Sequence, residues 1–259
     1  MEISTGSSMS EKKIPEDRET VIEIEHLCKR FGENVVLNDF NLKVYRNENV
    51  VVLGKSGAGK SVLIKCVIGL LKPDSGTIRV LGKNVPELDH EDLDKIRTKI
   101  GFLFQGNALY DSMTVRENLE FSLRRQWIKL PQTEVDALVK EALGNVSLPH
   151  TADMMPAELS GGMLKRIALA RTLILKPEII LYDEPTTGLD PVTAREIDNL
   201  IIALQKKYHT ASIIISHDMN CVKNTADRVV LLLDGKCYAE GTYRELEEAA
   251  DENIKQFFE

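Results

Sequence analysis

Residues 54–61 read Gly54-Lys55-Ser56-Gly57-Ala58-Gly59-Lys60-Ser61, and this stretch decides the fold. It matches GxxxxGK[ST], the P-loop pattern. At a glycine frequency of ~7%, a chance match somewhere in such a chain is roughly one per cent. The context narrows it further. Val50-Val51-Val52-Leu53 precede it as a continuous apolar run, which suits a strand covered on both faces. Residues 61–71 follow as a predicted helix that stops before Pro73. Strand, glycine loop and helix make the first half of a βαβ unit. Glycines let successive backbone N–H groups turn inward without Cβ clashes, and the helix start adds positive potential, so residues 54–59 can cradle an anion. Lys60 is expected to reach the β- and γ-phosphates of a nucleoside triphosphate, and the Ser61 hydroxyl to ligate Mg²⁺.

A P-loop alone serves kinases, GTPases and motors equally, so the rest of the chain must choose. Ile179-Ile180-Leu181-Tyr182 reads as a buried strand ending in Asp183 and Glu184. Alone, two such acids are as often a solvated strand cap. Beside a P-loop, Asp183 becomes a candidate Mg²⁺ ligand, and Glu184 can face the γ-phosphate and polarise a water. Tyr182 is unusual at a position that is normally apolar. Ser212-Ile213-Ile214-Ile215 and residues 229–233 are further strand candidates, with a helix over 192–207 and a hairpin signal at Asp234-Gly235. Residues 21–25 and 42–44 alternate like strands. The middle of the chain is helical instead. Val135, Leu138, Val139, Ala142 and Leu143 share one helical face, with Thr133 a candidate N-cap and Gly144 a candidate stop.

Composition limits what such a protein does. The 259 residues are 43% apolar and 28% charged, enough for a sizeable core and unlike a disordered or fibrous chain. The net charge of −7 is a poor start for binding nucleic acid, and none is expected as a partner. No apolar stretch approaches the ~20 residues of a membrane span, and no apolar signal core opens the chain. Cys28, Cys66, Cys221 and Cys237 lack CxxC spacing and read as reduced thiols.

One more motif discriminates. Leu159-Ser160-Gly161-Gly162-Met163 precedes a predicted helix over 164–175, with Ser160 as N-cap and two glycines that expose amides at the helix start. With the P-loop and the Asp183-Glu184 strand, it makes the chain resemble the nucleotide-binding subunit of an ATP-binding cassette (ABC) transporter. The resemblance covers residues 21 to about 245. It implies an α/β fold: a P-loop NTPase (RecA-like) core with a parallel sheet, an antiparallel β subdomain and a helical insertion. It also implies ATP and Mg²⁺, with roles for further residues. Gln105 is expected to sense Mg²⁺ and the membrane partner, Asp190 to lie at a dimer interface, His217 to contact the γ-phosphate and Phe31 to stack on adenine. Without the resemblance, a lone histidine after a strand is more often structural and Phe31 more often core. Met163 stands where many members have Gln, and Phe31 replaces the commoner Tyr.

The segment Phe104-Gln105-Gly106-Asn107-Ala108-Leu109-Tyr110-Asp111-Ser112-Met113-Thr114-Val115-Arg116-Glu117-Asn118 lacks the proline common in importer ATPases. With Met163 and Gln256-Phe257-Phe258, it resembles the ATPases of Mla/Mce-type phospholipid (organic-solvent-tolerance) transport. The resemblance implies a homodimer with each ATP between residues 54–61 of one copy and 160–162 of the other. It further implies a polytopic permease, an Mce-type substrate-binding subunit, and a place at the cytoplasmic face of the inner membrane. ABC importers of other solutes and soluble ABC ATPases remain the alternatives. The expected organisation is a disordered tail over 1–20 and one ATPase domain over 21–259. Within that domain, 21–105 and 166–245 form the core, 106–165 the helical part and 246–259 a C-terminal helix. The chain ends without the longer tail that some members wrap around their dimer partner.

Overall fold

The computed structural model describes residues 18–124 and 130–258. It opens with a long hairpin, β1 (Thr20–Phe31) and β2 (Asn34–Tyr45), closed by Gly32 and Glu33. β3 (Asn49–Leu53) carries the apolar run into the P-loop, and α1 (Lys60–Val67) follows. β4 (Ser75–Val80) and the two-residue β5 (Lys83–Asn84) return the chain to the hairpin. α2 (His90–Thr98), capped by Asp89, leads to β6 (Ile100–Leu103). The chain then leaves the sheet for α3 (Val115–Arg124), α4 (Gln132–Asn145) and α5 (Gly161–Leu173). It re-enters at β7 (Ile179–Asp183) and continues through α6 (Pro191–Tyr208), β8 (Ala211–Ser216), α7 (Met219–Thr225), β9 (Arg228–Leu233) and β10 (Lys236–Gly241). Two short helices, α8 (Tyr243–Glu247) and α9 (Glu252–Lys255), end it.

Two sheets result. One has the order β2-β1-β4-β5 and is antiparallel; the other has the order β10-β9-β3-β8-β7-β6 and is parallel apart from the edge strand β10. The central strands look uniformly apolar in sequence, yet their faces separate cleanly. Val50, Val52, Ile213, Ile215, Ile179 and Leu181 pack toward α1 and the antiparallel sheet. Val51, Leu53, Ile214, Ile180 and Tyr182 pack toward α6 and α7 on the other side. Period-two alternation is therefore present but hidden, because both faces are dry. A third apolar cluster joins α3, α4 and α5 around Val115, Leu119, Leu143 and Ile167. The parallel core, the antiparallel sheet and the helical excursion thus follow the expected fold.

Several local expectations differ. α1 ends at Val67 rather than 71, because Gly69 at φ 70° turns the chain into a left-handed exit. Thr133 is not a cap: α4 starts at Gln132 behind Pro131, and it runs through Gly144 to Asn145. The C-terminal region is two short helices instead of one over 246–259, because Asp251 caps a new start and accepts from the Asn253 amide. Residues 18–20 do not belong to a tail. β1 already begins at Thr20, and Glu19 forms a paired bond with Arg46 at 2.6 and 2.8 Å. The rest of that expected tail, residues 1–17, lies outside the described residues.

Candidate active site

Three adjacent strands end at one place. β3 runs into residues 54–61, β7 into Asp183 and Glu184, and β8, between them, into His217. Open parallel sheets bind ligands outside the carboxyl ends of such strands. The P-loop wraps under β2: a Cβ on Gly59 would sit 2.6 Å from Val36 Cγ1, and its φ is 101°. Only glycine meets both demands.

Lys60 is 6% exposed, and its Nζ donates to the carbonyl oxygens of Gly54 at 2.7 Å and Lys55 at 3.1 Å. Burial pulls its pKa down, while the Glu184 and Asp183 carboxylates act against that. Ser61 Oγ donates to Asp183 Oδ1 at 2.9 Å, across 122 residues of sequence. Burial raises the Asp183 carboxyl, with the Ser61 bond opposing. Glu184 adopts a left-handed φ of 53°, which turns it off the strand. Its Oε2 lies 2.8 Å from His217 Nδ1 and accepts from Thr187 Oγ1 at 3.1 Å. Its Oε1 is 3.9 Å from Lys60 Nζ. The structure therefore brings Lys60, Ser61, Asp183, Glu184 and His217 into one cluster.

Ser61 and Asp183 place two hard oxygen donors together. Among the described residues no group of three or more His, Cys, Asp or Glu could hold a metal. This donor set fits Mg²⁺, which takes one or two protein oxygens and fills its octahedron with phosphates and water.

Gly54 and Lys55 aside, no side-chain hydrogen bond among the described residues joins the other expected residues to this cluster. Phe31, at the end of β1, is 49% exposed, with the Lys29 ammonium 5.4 Å above its ring. A cleft of about 430 Å³ beside the P-loop is lined by Val36, Asn38, Lys55, Gly57 and Asp234 among others, and Phe31 lies outside that lining. Ser56 and Ala58 line the same cleft. Gln105 is exposed, and its carbonyl oxygen accepts from Lys165 Nζ at 3.1 Å. Ser160 caps α5 by accepting from the Met163 amide at 3.3 Å, as the sequence suggests. Asp190 caps α6 and also accepts from Thr193 Oγ1 at 2.6 Å. The contacts around Gly161 and Gly162 run to Leu189 and Thr193, not to the P-loop of the same chain.

Sequence reasoning overlooks three residues that shape the loop after β6. Asn118 is fully buried; it accepts from the Tyr110 amide and donates to the carbonyls of Tyr110, Met113 and Thr114. Lys165 and Arg171 reach the carbonyls of Gln105, Asn107 and Ala108. A lysine inside the apolar stretch of α5 is the one sequence signal available.

Two outcomes follow locally. Asp183→Asn is expected to stabilise the nucleotide-free protein by about 0.5–2 kcal/mol, because it removes a charge that is buried beside Glu184. With its native pKa raised, the Asp183 carboxyl destabilises the fold once ionised, so the gain shrinks toward zero as pH falls below the carboxylate range. Urea denaturation at several pH values reads this, and equal stability at pH 7 would contradict it. Gly162→Ala puts a Cβ 2.6 Å from Thr193 Cγ2, whose rotation would break the Asp190 bond. It is expected to cost ~1–3 kcal/mol, recovered largely by adding Thr193→Ser. Additive losses in denaturation would remove that explanation.

Known proteins share this sequence pattern and fold. The family model described as "ABC transporter" matches residues 37–187. The intermembrane phospholipid transport system ATP-binding protein MlaF of Haemophilus influenzae is 36% identical over 92% of this chain and 90% of its own. The chloroplastic protein TRIGALACTOSYLDIACYLGLYCEROL 3 of Arabidopsis thaliana is 35% identical over 98% of this chain and 78% of its own. The methionine import ATP-binding protein MetN of Brucella abortus is equally identical, 36%, over 89% of this chain and 62% of its own. Among solved structures, the dimeric post-hydrolysis cassette MJ0796 bound to ADP and Pi superposes with a TM-score of 0.77 at 32% identity, covering 86% of this chain and 99% of that one. The strand ends that gather Lys60, Asp183, Glu184 and His217, together with a family match over more than half the chain, place this protein in the ABC transporter family, as an ATP-hydrolysing subunit.

Proposed function

We propose that the protein energises phospholipid movement by an Mla-like ABC system, and that it works as a homodimer. The full-length likeness to MlaF, running over nine-tenths of both chains, carries this reading. In it, each ATP lies between residues 54–61 of one copy and Ser160, Gly161 and Gly162 of the other. Two amide-lined helix starts face one multivalent anion, so ATP cements the interface and its cleavage loosens it. Asp190 at the start of α6 would lie beside that seam.

Lys60, now satisfied by two carbonyls, is poised to exchange them for β- and γ-phosphate oxygens. Ser61, Asp183 and Gln105 would hold Mg²⁺, which when bound neutralises charge on the phosphates. Glu184 orients or deprotonates the attacking water, and His217 holds the γ-phosphate while fixing the Glu184 carboxylate. Phe31 offers its exposed ring to the adenine. No described helix is long and apolar enough to cross a membrane; in this reading a permease receives the force. The exposed surface after β6, with a small cleft lined by Ser112, Met113, Glu117, Phe121 and Arg124, offers the grip. That permease, an Mce-type subunit and the cytoplasmic face of the inner membrane complete the proposal.

Purification of the tagged chain from detergent-solubilised membranes of its source, followed by lipid mass spectrometry, tests it. Expected are a polytopic membrane protein, an Mce-type protein and bound phospholipid. A solute-binding protein without lipid would move the assignment toward an importer of the MetN kind, and a ribosome or DNA toward a soluble ATPase.

A further inference from the structure

α5 begins with Ser160 and Gly161 and carries two cations inward. Lys165 is 2% exposed, and its Nζ donates to the Gln105 carbonyl at 3.1 Å. Six residues later, Arg171 is half-buried and donates to the carbonyls of Ala108 at 2.6 Å and Asn107 at 3.0 Å. The loop they hold is bent sharply. Asn107 and Ala108 take consecutive left-handed φ values of 61° and 56°, and the Ala108 amide folds back to the Gly106 carbonyl at 2.6 Å. L-residues avoid that conformation, so it persists only where neighbours enforce it. Bonds from charged donors are the strong kind, and a buried cation left unpaired costs heavily, so these three bonds are enforcing ones. They also span two bodies: the donors sit on the helix behind the 159–163 motif, the acceptors on the loop that carries Gln105 off β6.

We propose that Lys165 and Arg171 are positioning residues, a two-point clamp through which any displacement of α5 is transmitted to the backbone of residues 105–108 and so to the Gln105 side chain. A rigid link of this kind needs no contact between Lys165 and the nucleotide. It requires only that the loop follow the helix. The inference builds on the reading of Gln105 as a residue that reaches the nucleotide's metal.

The test uses the full chain with Lys165→Met, which keeps the buried volume, Lys165→Arg, which keeps a donor, and Arg171→Lys, which loses the two-point hold. Amide hydrogen exchange across residues 105–109 is expected to quicken in Lys165→Met and Arg171→Lys. The ATPase kcat is expected to fall about 10- to 100-fold, the usual cost of misplacing a site group, with equilibrium ATP affinity within about 2-fold. Lys165→Arg should restore most of the rate. In a Gln105→Ala background, Lys165→Met should cause no further loss. Unchanged exchange in both variants overturns the clamp, and losses that multiply with Gln105→Ala overturn its route through Gln105. Full activity of Gln105→Ala alone would instead remove the reading of Gln105, and the clamp would then stand or fall on the exchange data.

Discussion

Glu184→Gln is expected to lower ATP turnover by ~10²–10⁴-fold while leaving ATP binding intact. The amide has the size and shape of the carboxylate and can still meet His217 and Thr187, which hold Glu184 Oε2 at 2.8 and 3.1 Å. What it loses is the capacity to take a proton from water. The φ of 53° that lifts Glu184 off β7 is a backbone feature, and the substitution leaves it in place. Phosphate release and equilibrium nucleotide binding, measured on one preparation, separate the two effects. Hydrolysis near the normal rate would show that Glu184 is not the base. The same variant with ATP should accumulate dimers, because the triphosphate proposed to bridge the copies is no longer consumed. A monomer by light scattering under those conditions would remove the sandwich arrangement.

Lys60→Ala should act one step earlier, on binding itself. Its ammonium lies 3.9 Å from Glu184 Oε1, and it is nearly dry. Hydrogen bonds to charged partners contribute about 1.5–3 kcal/mol, so losing those to the phosphates should weaken ATP affinity roughly 10- to 100-fold. The empty protein also loses the ties to the Gly54 and Lys55 carbonyls, which should loosen the loop. Filter binding reads the affinity. An unchanged value would count against residues 54–61 as the phosphate cradle.

The P-loop was legible because its chemistry is local: eight consecutive residues, a strand before and a helix after. The β7 carboxylates were legible for the same reason. The bonds that make them a site were not. Ser61 finds Asp183, and Glu184 finds His217, only once β8 lies between β3 and β7, and sheet order is absent from local pattern. The helix boundaries that were missed turn on single residues. Gly69 ends α1 early, and Asp251 restarts the C-terminal helix, both too weak against the surrounding periodicity to read in advance. Strands β4 and β5 leave little sequence signal, because their apolar face is short and one partner is two residues long. Arg171 leaves no sequence signal, and Lys165 only that of a lysine in an apolar stretch, because both answer to carbonyl groups of a distant loop, and a backbone acceptor leaves no mark in sequence.

The helical excursion departs from β6, the last strand of its sheet, and comes back on β7, the strand beside it. α3 and α4, between them, are therefore hung from one margin of the platform, like a door on a jamb. They stand clear of the inner strands that lead to Lys60 and His217. A fluorophore on these outer helices would thus report on their displacement without touching those strands.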